Sequence, residues 1–159
     1  MNDGIYILTG AIQTGKTTNL VTWSKNRNDV FGILTPAING KRFFMNVQTR
    51  DNFPMEADME EKETLNIGRF IFSREAFNKA IKIIDDSIDR KGWLIIDEIG
   101  PLELKGEGFV DVLKNVLKKR NEKTLLVVRE GLIEKITGTF KIVAPTIIHN
   151  ISDLLPRFK

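Results

Sequence analysis

The chain has 159 residues, 42% of them hydrophobic and 28% charged, which suits one globular domain with its own core. Its 24 basic and 21 acidic side chains leave a net charge of +3, too small an excess to demand a nucleic-acid partner, and the lack of cysteine removes disulfides, thiolate nucleophiles and cysteine-bound zinc. No apolar run approaches the ~20 residues that cross a bilayer, and the opening MNDGIYILTG has no basic region of the kind a signal peptide carries, so a cytoplasmic protein without a membrane partner is expected.

The short apolar run Ile5-Tyr6-Ile7-Leu8, bounded by Gly4 and Gly10, reads as a buried strand. A helix follows over 15–26, with Leu20, Val21 and Trp23 as anchors, and a second strand over 30–34, stopped by Thr35-Pro36. Residues 37–72 read as an inserted β-hairpin or small meander beside the main sheet. Asn39-Gly40 is its turn signal, and the acidic stretch 56–63 is a solvated loop. Ser73 is an N-cap, and Phe77, Ala80, Ile81, Ile84 and Ile88 then recur at helical spacing. Trp93 to Ile96 is a continuous apolar strand, and Gly100-Pro101 is a turn. Phe109, Val112, Leu113, Val116 and Leu117 mark another helix. Lys118, Lys119 and Arg120 at its end complement the helix dipole. Residues 124–128 form a buried strand, 131–136 a short helix and 141–144 the last strand, while the lone His149 is given a structural role. Strands alternating with helices imply an α/β fold whose mostly parallel sheet is flanked by helices, with ligands bound beyond the carboxyl ends of the strands.

Directly after the first strand stands Gly10-Ala11-Ile12-Gln13-Thr14-Gly15-Lys16-Thr17, followed by Thr18, which matches the Walker A pattern of a P-loop. Glycines let several backbone N–H groups approach a triphosphate, and the following helix offers its positive end to the same anion. Lys16 supplies a cation for the β and γ phosphates, and the Thr17 hydroxyl is a Mg²⁺ ligand. From this chain's composition the four fixed positions coincide by accident with a chance of about 1%. A chance match is therefore set aside.

Trp93-Leu94-Ile95-Ile96-Asp97-Glu98 is an apolar strand ending in two carboxylates, the Walker B pattern. Adjacent acids at a buried strand end are costly unless a cation or water uses them. Asp97 is assigned to the Mg²⁺ shell. Strand alternation points Glu98 the other way, so Glu98 is the candidate for polarising a water against the γ-phosphate. Glu103, just beyond the turn, is either a supporting carboxylate or a solvated acid.

GAIQTGKTT at 10–18 and DEIGPLEL at 97–104, with the order of elements between them, resemble the small P-loop nucleoside-triphosphatases of the thermostable, cancer-related type, grouped as NTPase_1. The resemblance covers nearly the whole chain. It implies one P-loop domain over 1–159, with 37–72 as an inserted β region. It also implies a RecA-like sheet in which an extra strand separates the P-loop strand from the Walker B strand, and Mg²⁺-dependent hydrolysis of several nucleoside triphosphates. By analogy with that sheet order, Arg129 ends the intervening strand and faces the γ-phosphate as an internal arginine finger. Its alternative is a surface arginine paired with Glu130 or a neighbour. Members often read Pro-Gly-Val where this chain has Ile12-Gln13-Thr14. No guanine-reading [NT]-K-x-D motif is present, since Asn121-Glu122-Lys123-Thr124 fails at its last position, so strict GTP specificity is not expected. Two other functions stay open. One is a small-molecule kinase whose 37–72 lid carries Arg42, Arg50 and Arg69. The other is a nucleotide switch that hydrolyses slowly for a protein partner the sequence does not identify.

Overall fold

A strand buried on both faces has no polar side to offer water, so it must be apolar at every position and covered above and below. Val30–Leu34 and Leu125–Val128 meet that condition at every position. The computed structural model describes residues 4–10, 15–58 and 60–158, with side chains as far as 154. In chain order these hold β1 (Ile5–Leu8), α1 (Lys16–Ser24), β2 (Val30–Leu34), β3 (Ala37–Ile38), β4 (Lys41–Asn46) and β5 (Asn52–Pro54). Then come β6 (Thr64–Ile67), β7 (Phe70–Ser73), α2 (Arg74–Asp85), β8 (Trp93–Ile99), α3 (Pro101–Leu104) and α4 (Val110–Lys119). β9 (Thr124–Val128), α5 (Ile133–Phe140) and β10 (Thr146–Ile148) follow, and 3₁₀ turns over Ile151–Phe158 close the chain.

The main sheet runs β10-β1-β9-β8-β2-β4-β3, with β5 on β4. The first five of these strands are mutually parallel. β9 lies between β1 and β8, the intervening strand that the resemblance implies. Period-two alternation sorts each strand's side chains to two cores. Leu94 and Ile96 of β8 join the apolar faces of α2, α4 and α5, while Trp93 and Ile95 join Leu20 of α1 and Leu154 of the closing turns. Ser73 caps α2 as expected, its hydroxyl accepting from the Ala76 N–H at 3.0 Å.

Several expectations are corrected. Residues 141–144 form no strand. Lys141 and Ala144 have positive φ, and Val143 is 70% exposed. Lys141 ends α5 in the left-handed conformation, and the strand forms only at β10. The helix expected over 131–136 runs on to Phe140 after a 3₁₀ turn. Gly100-Pro101 opens α3, proline being tolerated in a helix's first turn. The β3–β4 hairpin turns at Asn39-Gly40, both with the positive φ its tight turn requires. However, β4 pairs antiparallel with β2, so this region extends the main sheet. Only β6 and β7 form a separate ribbon. Within the acidic stretch Glu56 is not a free loop residue: it bridges to Phe72 and accepts from the Arg42 N–H at 3.0 Å. His149 is exposed, and its backbone N–H donates to Asp153. Among the described residues no helix is long and apolar enough to cross a membrane.

Arg120 departs furthest from its expected dipole role. It is 6% exposed, and its guanidinium donates to the carbonyls of Ser87, Ile88, Arg90, Gly92 and Lys123 at 2.7–3.2 Å. A third direction reaches the Thr124 hydroxyl at 3.1 Å. The planar five-donor fork thus satisfies the carbonyls where the chain leaves α2 and enters β8. Methionine has similar bulk and no donors. Arg120→Met is expected to cost at least about 3 kcal/mol, because the carbonyls stay buried without partners. That corresponds to a melting-temperature fall on the order of 10 °C for a chain of this size. Urea and thermal unfolding check it, and a loss below about 1 kcal/mol would refute the assignment.

Candidate active site

Parallel strands send their carboxyl ends to one edge of the sheet, so whatever polar residues follow them are gathered there. Thr9 and Gly10 follow β1, Thr35 follows β2, Asp97 and Glu98 lie near the end of β8, and Arg129 follows β9. Gly15 enters α1 with φ +80°, a left-handed conformation that a side chain would strain. α1 then begins at Lys16 with no side-chain cap and no acid in its first turn. Its first N–H groups therefore point to the sheet edge with the positive end of the helix behind them. Ala11, Ile12, Gln13 and Thr14 of the expected phosphate loop lie outside the described residues. Lys16 Nζ reaches back to the Gly10 carbonyl at 3.5 Å.

Asp97 is 2% exposed, and its Oδ2 accepts from the Thr17 hydroxyl at 2.8 Å and from the Thr35 N–H at 3.1 Å. Burial pushes its carboxyl above the ordinary range, against the pull of those hydrogen bonds and of Lys16. Glu98 is also raised, first by burial, with Arg129 opposing and Asp97 adding to the rise. Its Oε1 lies 3.6 Å from Arg129 Nη2.

Simple alternation would send Glu98 away from Asp97, yet both border one cavity of about 610 Å³ with Gly15, Lys16, Thr17, Thr18 and Arg129. The β8–β9 register slips at this point: Asp97 pairs with Val127 and Ile99 with Val128, leaving Glu98 between them. A bulge of this kind re-aims the side chain it frees. The Asp97–Glu98 peptide is cis. The described residues of the two motifs thus converge, and Arg129 pairs with Glu98 rather than Glu130.

The same cavity is bordered by Arg42, Glu56, Arg69 and Phe70 of the inserted region. Arg50, the third arginine of the expected lid, lies elsewhere, donating to the Val21 carbonyl at 3.3 Å. Thr35, Glu56 and Phe70 carry no signal in the sequence. Thr35 acts on Asp97 through its backbone N–H and its side chain, and the other two are set by the insertion's path.

Glu103 is no surface acid. It is 3% exposed, and its two oxygens accept from the Gly100 N–H at 2.7 Å and the Phe109 N–H at 2.9 Å. Gly108 has φ +65° and packs so closely that a Cβ there would meet Glu103 Oε2. The carboxylate pins the turn after Glu98 from both sides.

The NTPase_1 family model, described as NTPase, matches residues 5–155. The nucleoside-triphosphatase THEP1 of Saccharolobus solfataricus is 31% identical over 132 residues, spanning 76% of this chain and 73% of that protein. The crystal structure of THEP1 from Aquifex aeolicus aligns with a TM-score of 0.70 at 16% identity, covering 98% of this chain and 96% of that one. The solution structure of a human cancer-related nucleoside triphosphatase aligns with a TM-score of 0.68 at 20% identity, covering 97% and 94%.

Burial raises the Glu103 carboxyl from the ordinary 4.5 to about 7. Between those values the folded chain holds a proton that the unfolded chain releases, so this residue's contribution to stability is full below pH 4.5 and is lost as pH rises to about 7. Glu103→Gln keeps a neutral side chain at every pH. The stability of wild type minus that of the variant should therefore fall by on the order of 2 kcal/mol across this window. Chemical denaturation from about pH 5 to about pH 8 reads the difference, and a flat or rising curve would refute it.

Proposed function

This chain belongs to the NTPase_1 family, and from that premise we propose that it hydrolyses nucleoside triphosphates to diphosphate and phosphate with Mg²⁺ and broad base use. The observation that carries the reading is the Thr17–Asp97 contact of 2.8 Å, which joins the start of the phosphate helix to the acidic end of β8 inside one cavity. A buried carboxylate held beside a hydroxyl, at a cavity edged by Lys16, is costly alone and fits a hard divalent cation. Mg²⁺ takes few protein oxygens and completes its shell with water and phosphate. Thr17 and Asp97 would hold it. When bound it would neutralise phosphate charge.

The chain's own groups then divide the work. The loop from Gly10 to Gly15 and the open end of α1 receive the β phosphate, and Lys16 binds the β and γ oxygens. Glu98 orients the attacking water and draws off its proton. Its raised carboxyl, bordering a partly closed cavity, suits that role better than a fully solvated acid would. Arg129, now paired with Glu98, turns its second donor toward charge that builds on the γ-phosphoryl group as the bond breaks. Nothing among the described residues forms a base-reading motif, which supports broad base use.

Phosphate release from ATP and GTP should differ by no more than about tenfold, a barrier difference of about 1.4 kcal/mol. Glu98→Gln should bind Mg-ATP nearly normally and hydrolyse it poorly, whereas Asp97→Asn should weaken binding and Mg²⁺ dependence together. A thousandfold base preference would refute broad use, and wild-type turnover by Glu98→Gln would remove its role.

Arg129→Ala is expected to lower kcat by about 10²-fold with a much smaller change in KM, because the ground-state phosphates are held by the loop and Lys16. Arg129→Lys should restore only part of the loss, since a point charge does not repeat a planar two-donor contact. Steady-state kinetics within threefold of wild type for Arg129→Ala would place the finger elsewhere.

A further inference from the structure

The phosphate cavity has an apolar neighbour. A second chamber of about 190 Å³ lies between the β6–β7 ribbon and α3, with Met55, Ile67, Phe72, Pro101, Leu102 and the buried Glu103 in its wall. Glu98, Arg129, Arg42, Arg69 and Phe70 border both spaces, so the two meet at the carboxylate assigned to proton removal. Water as the only nucleophile has no use for such a chamber, since apolar walls stabilise no part of it.

Two further cations stand at the junction, on the inserted region. Lys16 and Arg129 already serve the phosphates in the reading above. Arg42 and Arg69 are additional, and neither forms an ion pair among the described residues. Their guanidinium carbons lie 5.0 and 5.4 Å from the ring centre of Phe70, which holds both cations at the chamber's mouth. Two cations beside an apolar wall fit an organic anion with an apolar body. The size limits that body: an apolar cavity of about 150 Å³ accommodates benzene, so this one suits a single substituted ring.

We propose that this chamber is an acceptor subsite for a small single-ring organic anion bearing a hydroxyl, with its carboxylate against Arg42 and Arg69 and its hydroxyl toward Glu98. The inference rests on the triphosphate being held as proposed above. The acceptor oxygen forms a bond to the γ-phosphorus while the bond from that phosphorus to the β–γ bridging oxygen breaks. The diphosphate leaves with that electron pair, and the hydroxyl proton passes to Glu98. The products are a nucleoside diphosphate and a phosphate monoester, with no change of oxidation state. When the chamber is empty, water takes the hydroxyl's place and the same groups perform hydrolysis. The arginine-bearing insertion then serves the acceptor, with Arg42 and Arg69 as its members.

The chain's four methionines allow a direct test. Met55 lines the chamber, whereas Met45 lies in the opposite core and serves as control. Protein labelled with ¹³C in the methionine methyl groups is titrated with 4-(hydroxymethyl)benzoate to about 10 mM, enough to saturate a site with Kd of about 1 mM. The Met55 signal should move saturably and Met45 should not. With γ-³²P-labelled ATP and Mg²⁺, label should appear on the probe as well as in inorganic phosphate. Ile67→Trp, which fills the chamber, should lower the ratio of labelled probe to labelled phosphate at least about tenfold, a change of about 1.4 kcal/mol in relative barrier. Phosphate release with an unmoved Met55 overturns the subsite and leaves hydrolysis standing. A moved Met55 with label only in phosphate overturns the acceptor role. Label on neither product overturns both this inference and the hydrolase reading.

Discussion

A parallel strand packed on both faces has room for polar side chains only where it ends. β1, β9, β8 and β2 share that restriction and one direction, so their polar residues meet at a single edge of the sheet. Everything chemical in the molecule depends on this collection. The hydrogen bond from Thr17 to Asp97 crosses from the helix after β1 to the end of β8, and the Thr35 N–H reaches the same oxygen from the end of β2. Three elements far apart in sequence are tied at one carboxylate.

The electrostatics of that edge follow from the same packing. Asp97 and Glu98 are raised chiefly by burial, a cost that apolar strands impose on any acid at their ends. Lys16 and Arg129 offset part of it. The β8–β9 bulge sets the two acids on the same cavity.

Sequence alone identified the parallel core because its signals are local and redundant. Ile5–Leu8, Val30–Leu34 and Leu125–Val128 are apolar runs, and the Ser73 cap with its helical stripe is complete within one segment. The two expected motifs are each local in the sequence, and their described residues Gly15, Lys16, Thr17, Asp97 and Glu98 border one cavity. What was not legible depends on the fold's closure. Arg120 looks like the third of three basic residues, and only the return of the chain after α2 gives it carbonyls to bind. Glu103 stands open between a supporting carboxylate and a solvated acid until Gly100 and Phe109 converge on it. Ile142 and Val143 look like a strand, but Lys141 takes a left-handed turn and Thr146–Ile148 pairs with β1 instead. Glu98's direction escaped alternation because a bulge is a property of two strands, not one.

The β6–β7 ribbon pairs with itself, and among the described residues its one ladder contact outside is the bridge from Phe72 to Glu56. A residue added to β8 would turn every following side chain to the other face and separate Asp97 from Thr17. The same addition at the Gly68–Arg69 turn would lengthen a loop that no other strand reads for register. Such a residue leaves the register of the main sheet as it stands and moves only Arg69 and Phe70 against the cavity they border.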